Sequence, residues 1–307
     1  MTSLKTKNIC FLAAFLFLAI VPTLAKVVKE VKDCNQFLYQ GTPPEIPDIL
    51  EGGKIPDNNR YKVICQTYED GPNPNPNSNQ RYLTVYDTKN RIPVFSAYEY
   101  KEKEGSEKLK KDGVPWKIEP QLDEAHTQNN GNMKEEDSNT DYNNQAVNAD
   151  YTKNDRRYDR GHLFPASHAS SQEQLDSTFT LTNAVPQVDT FNQRRWSIME
   201  QCMKCILDYN IKRDKGCFVV VGAQPSDNNN LNNRVNIPSM MWSAFYCANG
   251  VSGAYWSKND ADDTVHEGSL EDLKNNALTK GIDVFPGQPY VNYLKDIFAA
   301  MGRLITG

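Results

Sequence analysis

The sequence predicts an α+β fold on one large domain, with strands both before and after a single long helix. Three observations predict it. Unbroken apolar runs at 218–222 (FVVVG) and 240–247 (MMWSAFYC) have the character of buried strands. Over 193–209 the residues Trp196, Met199, Met203, Ile206 and Leu207 recur at the spacings of one helical face. Finally, no stretch between the polar loops has the size or independence of a second domain, so residues 26–307 read as one unit.

From the N-terminus, Lys5 and Lys7 precede an apolar run at 9–21, and Thr23-Leu24-Ala25 ends it with residues suited to cleavage. That run is too short to span a bilayer comfortably. Residues 1–25 therefore read as a signal peptide, and the product as secreted, with no membrane attachment once the signal is removed. Residues 71–80 (GPNPNPNSNQ) suit neither strand nor helix and read as a surface hairpin loop. The β-rich runs 81–87 and 92–100 flank Thr88-Lys89-Asn90-Arg91, which suits a hairpin. The charged run 101–112, the Asn-rich acidic stretch 126–144 and the Asn cluster 227–233 read as long solvated loops. Segments 270–279 and 290–305 are weaker helices.

Composition is that of an ordinary globular chain, 38% hydrophobic and 24% charged, which excludes disordered, collagenous and multi-span membrane classes. Removing Lys5 and Lys7 with the signal takes the formal charge from −5 to −7. A uniformly basic nucleic-acid coat protein is thereby excluded, and a local basic patch is not. Of seven cysteines, Cys10 leaves with the signal, and six remain for three disulfides in an oxidising compartment. Antiparallel neighbours would join Cys217 to Cys247, and Cys34 with Cys65 would clamp the N-terminal segment. That leaves Cys202 with Cys205, although an i,i+3 bridge strains a helix and exchange with Cys217 or Cys247 stays open.

The chemistry concentrates between Arg156 and Glu200. Arg156, Arg157 and Arg160 surround Asp159 and His162, and a metal-assisted phosphodiesterase needs a base for water, a cation, and guanidinium groups for phosphate charge. His162 is the base candidate because histidine titrates near neutrality. A second cluster holds Asn192, Arg194, Arg195 and, two turns later, Glu200. At 100° per residue Asn192 and Glu200 lie about 80° apart and about 12 Å along the axis, on one broad face. The plainer reading makes Asn192 a helix N-cap and Glu200 a solvated residue. His168 offers a zinc ligand, but no further His or Cys follows at suitable spacing. His126 and His266 read as exposed, and the four tryptophans as packing residues.

The strings YDRGHLFPASHAS (158–170), LTNAVPQVDTFNQRRWSIME (181–200) and VNIPSMMWSAFYC (235–247) closely resemble the DNA/RNA non-specific endonucleases, a family of ββα-metal (His-Me finger) nucleases. The resemblance runs roughly from Cys34 to the C-terminus. It implies a central, mainly antiparallel sheet with flanking helices and long loops, and DNA and RNA as substrates. It implies that His162 is the general base, Asn192 the direct protein ligand of a magnesium ion (or manganese in its place), Glu200 and Asp159 the holders of metal-bound water, and Arg160 a phosphate contact. Arg156, Arg157, Arg194, Arg195 and Lys204 would add charge for substrate. The family has another arginine before the Pro-Trp segment, where this chain has Val114. Lys110, Lys111 or Lys204 would have to substitute, without the bidentate fork.

The expected function is thus a secreted, magnesium-dependent endonuclease with little sequence preference. The alternatives are a catalytically weak or silent nucleic-acid-binding or interaction protein on the same scaffold, and a disulfide-stabilised module with no nucleic-acid role. Degeneration of the motif would favour either, and His162, Asn192 and Glu200 are all present.

Overall fold

The computed structural model describes residues 26–68, 80–123, 133–152, 158–212, 216–279 and 281–289. The leader, residues 71–79 of the Pro/Asn loop, His126, Arg156, Arg157 and the segment 290–305 lie outside them.

In chain order the strands are β1 (Lys26–Val28), β2 (Tyr61–Thr67), β3 (Gln80–Asp87), β4 (Ile92–Tyr100), β5 (Tyr158–His162), β6 (Ala184–Val188), β7 (Cys217–Gln224), β8 (Asn230–Leu231), β9 (Val235–Asn236), β10 (Met240–Cys247), β11 (Ser252–Lys258) and β12 (His266–Gly268). The helices are α1 (Asn148–Thr152), α2 (Gln172–Thr178), α3 (Ser197–Ile211) and α4 (Leu270–Asn275). Eight strands form one antiparallel sheet in the order β1-β2-β3-β4-β7-β10-β11-β12. β5 pairs with β6, and β8 with β9, in two small ribbons.

The apolar runs are unbroken because the sheet is covered on both faces. Val219, Val221, Met241 and Phe245 pack into one core with Trp196, Met199, Met203 and Leu207 of the helical layer. Their neighbours Val220, Met240, Trp242 and Ala244 pack into a second core with Val31, Phe37, Leu270, Leu273 and Phe285. Alternation along each strand thus feeds two apolar layers. β4 and β7 are neighbours in the sheet although 116 residues separate their ends, from Tyr100 to Cys217. The excursion between them carries α1, β5, α2, β6 and α3, and Tyr151, Leu163, Phe164, Val185 and Phe191 within it belong to the first core. It also carries every candidate site residue.

Register sets Cys217 opposite Cys247, and the two are bonded; Cys34 is bonded to Cys65 on β2. Cys202 and Cys205 differ from expectation, since both are free thiols exposed on α3. The helix runs through them without a break, and regular helical geometry does not turn the two sulfurs toward each other.

Candidate active site

β5 and β6 run antiparallel, with Asp159 opposite Gln187, Gly161 opposite Val185 and His162 opposite Ala184. Gly161 is required by this pairing. A Cβ there would lie 2.6 Å from the Gln187 Cβ, a separation that forces movement. The connections around the ribbon converge on the buried Asn183. Its Oδ1 accepts from Phe164 N (3.0 Å) and Ser96 Oγ (2.9 Å), and its Nδ2 donates to Phe164 O and Thr178 O (both 3.1 Å). A saturated amide therefore ties the ribbon to β4 of the large sheet.

After β6 the chain enters a π-helical turn, Phe191–Trp196, that leads directly into α3. Thr190 is the cap residue, so Asn192 sits inside the turn and not at its cap. The i→i+5 bonds of a π turn alter the phase, and the 80° offset expected from uniform α-helix does not carry through.

Along β5 alternate side chains leave on opposite faces. Arg160 and His162 meet Trp116, the guanidinium 5.5 Å over its ring and the imidazole 4.9 Å away between centroids. Phe179 closes a further side of His162, at 4.9 Å. Burial, aided by the positive charge of Lys111, pushes the His162 imidazole down to about 4. Its Nε2 is buried with no partner among the described residues. Arg160 also lies 5.3 Å over Tyr151 and donates through Nη2 to Asn148 Oδ1 (3.0 Å), while its Nε is buried without a partner among the described residues. Burial lowers its pKa, yet a guanidinium starts so high that it stays charged.

The Asp159 carboxylate accepts from Asn192 Nδ2 and Gln193 Nε2, both at 2.9 Å. A carboxylate only accepts, so the Asn192 amide is oriented with its NH₂ toward Asp159, and Oδ1 is left as an oxygen donor. Glu200, half-buried on α3, is pushed up to about 8 by burial. Its backbone carbonyl accepts from His168 Nε2 (2.9 Å), and His168 Nδ1 accepts from Tyr98 OH (2.8 Å). With both ring nitrogens engaged, His168 is not offered to a zinc ion.

The remaining cations divide. Arg194 and Arg195 are exposed, and Arg195 donates to the Ala261 carbonyl. Lys204 is held by Tyr100 OH (2.6 Å) and Asp208 (3.4 Å), which neutralises it. Val114 lines a groove of about 750 Å³ with Lys110 and Lys117. His266 is exposed, as expected. Trp196 and Trp242 are core residues, while Trp116 is half-buried against the site. Trp116, Phe179, Gln193, Asn148 and Asn183 were not legible as site residues. Of these, only Gln193, adjacent to Asn192, carried a sequence signal.

An antiparallel β5–β6 ribbon running into α3, with a histidine on the first strand and an asparagine at the helix start, defines the class of ββα-metal nucleases. The chain belongs to the DNA/RNA non-specific endonuclease family, whose sequence profile matches residues 64–290. It is 30% identical to the human endonuclease domain-containing 1 protein over 81% of this chain, and spans 45% of that relative's length. It is 37% identical to human mitochondrial endonuclease G over 94 residues, 29% of this chain and 31% of that protein. The solved complex of EndoG with EndoGI aligns with a TM-score of 0.44 at 20% identity, over 60% of this chain and 74% of that one.

Proposed function

We propose that this chain is a secreted, magnesium-dependent endonuclease that hydrolyses phosphodiester bonds of DNA and RNA with little sequence preference. The observation that carries the reading is the pair His162 and Arg160. They lie against one tryptophan, each with a buried nitrogen that finds no partner among the described residues. Buried polar atoms are ordinarily satisfied, and at a catalytic site an orphaned one has a substrate or water to meet.

Neutral His162 accepts a proton from the attacking water at Nε2, which moves from the water oxygen to the imidazole. Arg160, fixed between Trp116 and Tyr151 with Nε unused, supplies positive charge to the phosphate. Asn192 Oδ1, with the Asp159 carboxylate bonded to its amide, offers oxygen donors that fit a hard, well-hydrated cation, and Glu200, held protonated by burial, would ionise in favour of a bound ion's water. When bound, such an ion neutralises phosphate charge and stabilises the leaving oxygen. Asn192 would be the direct protein ligand, with water in the other positions, since its Oδ1 is the atom that the bond to Asp159 leaves turned away. Asp159 orients Asn192 through the bond to its amide.

Of the lysines that would substitute for the arginine missing at Val114, Lys111 is the one whose positive charge is felt at His162. Arg194 adds exposed charge to the same cluster, with Arg195 beside it; Arg156 and Arg157 precede β5. Secretion and a single mature domain over 26–307 are supported by the N-terminal apolar run and the two disulfides. The test is digestion of plasmid DNA and of RNA with and without a chelator. Cleavage of both that stops on chelation is expected; no cleavage of either in magnesium makes the chain a silent member of its family.

A further inference from the structure

His168 is a buried histidine that the proposed reaction leaves unused. It ends the 3₁₀ turn Ala166–His168, a short way beyond the base on β5, and both of its ring nitrogens are bonded. The Glu200 carbonyl only accepts, so Nε2 carries the proton and donates to it, and Nδ1 is the acceptor for the Tyr98 hydroxyl. One neutral tautomer satisfies both bonds. A carbonyl oxygen has two lone pairs, so the bond from His168 leaves α3 continuous through Glu200.

The far end of this bridge is rigid. Tyr98 is fully buried on β4 with its ring stacked on Phe164 at 3.8 Å, and the Tyr100 ring meets the His168 imidazole edge-on at 5.5 Å. Side chains 96, 98 and 100 leave β4 on one face. Ser96 donates to Asn183, which ties down the β5–β6 ribbon; Tyr98 reaches Glu200 through His168; Tyr100 donates to Asp208 and accepts from Lys204 further along α3. One strand thus carries, on successive side chains, the ties that hold the ribbon of the base and the helix of the ion's residues. The His168 tie lands in the first turn of α3, on the residue whose carboxylate would hold the ion's water.

We propose that His168 is a positioning residue for the metal ion: bonded to Tyr98 on one side and to the Glu200 carbonyl on the other, it sets the first turn of α3 against the strand that also anchors the base. That role rests on the reading of Asn192 and Glu200 as the residues that hold a hydrated divalent cation. An ion held through one amide oxygen and its own waters has few protein contacts, so its affinity depends on where the backbone places those two side chains. Outer partners that orient such groups are worth about 10- to 100-fold in metal affinity or activity.

Manganese, as the probe ion, is titrated into the full chain without substrate, and the free ion is read by electron paramagnetic resonance. His168→Phe keeps a ring and removes both bonds, and should weaken manganese binding by about 10-fold or more. His168→Gln should restore most of it, because its amide donates to the Glu200 carbonyl and accepts from Tyr98. Tyr98→Phe removes only the hydroxyl and should weaken binding in the same sense. Urea midpoints report folding, so Tyr98→Phe decides where His168→Phe does not fold. In cleavage assays the half-saturating magnesium of His168→Phe should rise by the same factor, with the KM for DNA at saturating magnesium unchanged. Wild-type manganese affinity in the folded variants that lack the bonds would overturn the proposal, as would a His168→Gln no better than His168→Phe. A wild type that binds manganese and cleaves nothing overturns the nuclease reading alone. One that binds no manganese overturns the metal reading and this role with it.

Discussion

Burial keeps the His162 imidazole neutral, and therefore able to accept a proton, down to about pH 4. The acid limb of kcat/KM, read from an initial-rate pH series, should accordingly fall well below the ordinary histidine range. Lys111 opposes protonation, so Lys111→Met raises the pKa and should move that limb to higher pH. His168 gives a separate prediction on stability. It is 2% exposed and pushed down to about 4, chiefly by burial, against about 6.5 in an unfolded chain. Between those values the unfolded chain binds the proton and the folded one does not. Stability is thus fully present above about pH 6.5 and declines as pH falls to 4, by about 3 kcal/mol at most. His162 contributes in the same sense and Glu200 in the opposite one, so the check is the difference between wild type and a His168 variant: their urea midpoints should lie further apart at pH 7 than at pH 4.5 once the share of His168 is lost. His162, Asn192 and Glu200 were legible because each carries chemistry in its side-chain type. Trp116 and Asn183 were not, since their roles arise from contacts made across long sequence separations.

At the level of elements, the β5–β6 ribbon depends on a glycine. Gly161→Ala would press a methyl group into Gln187, and overpacking of this kind costs about 1–3 kcal/mol. The expected outcome is a lowered denaturation midpoint together with a drop in kcat, since the same strand holds Arg160 and His162. A variant with unchanged kcat would mean that the ribbon does not position the base. The hairpin of β3 and β4, the strands β7 and β10 and the body of α3 were all legible from apolar period. The π turn was not, because its residues keep helical composition while the hydrogen-bond pattern changes. The same limit applies to Cys202 and Cys205. Elimination paired them, and the continuous helix keeps them apart.

For the whole molecule, net charge and site charge have opposite signs. The chain is acidic overall, at −5, while Arg160 stands on β5, Arg194 is exposed in the turn before α3 and the charge of Lys111 is felt at His162. Focusing of a local positive field can draw in a polyanion that the net charge would repel. Contacts to phosphate and sugar carry no sequence information, so cleavage should be broad and steeply salt-sensitive, with a log–log slope near −0.9 per phosphate neutralised on duplex DNA. Initial rates on duplex DNA, single-stranded DNA and RNA across a salt series check this, and a flat response would contradict it. Lys204, counted with the cluster from sequence, is neutralised by Asp208 and should contribute little to that slope.

The division of labour between His162 and Asn192 is the centre of the account, and a magnesium titration of two variants tests it directly. His162→Ala should lose about 10²–10⁴ in rate at every magnesium concentration, because no amount of ion replaces the base. Asn192→Ala should weaken the magnesium dependence and recover part of its rate as the ion is raised. Recovery of His162→Ala by magnesium, with none for Asn192→Ala, would contradict the assignment.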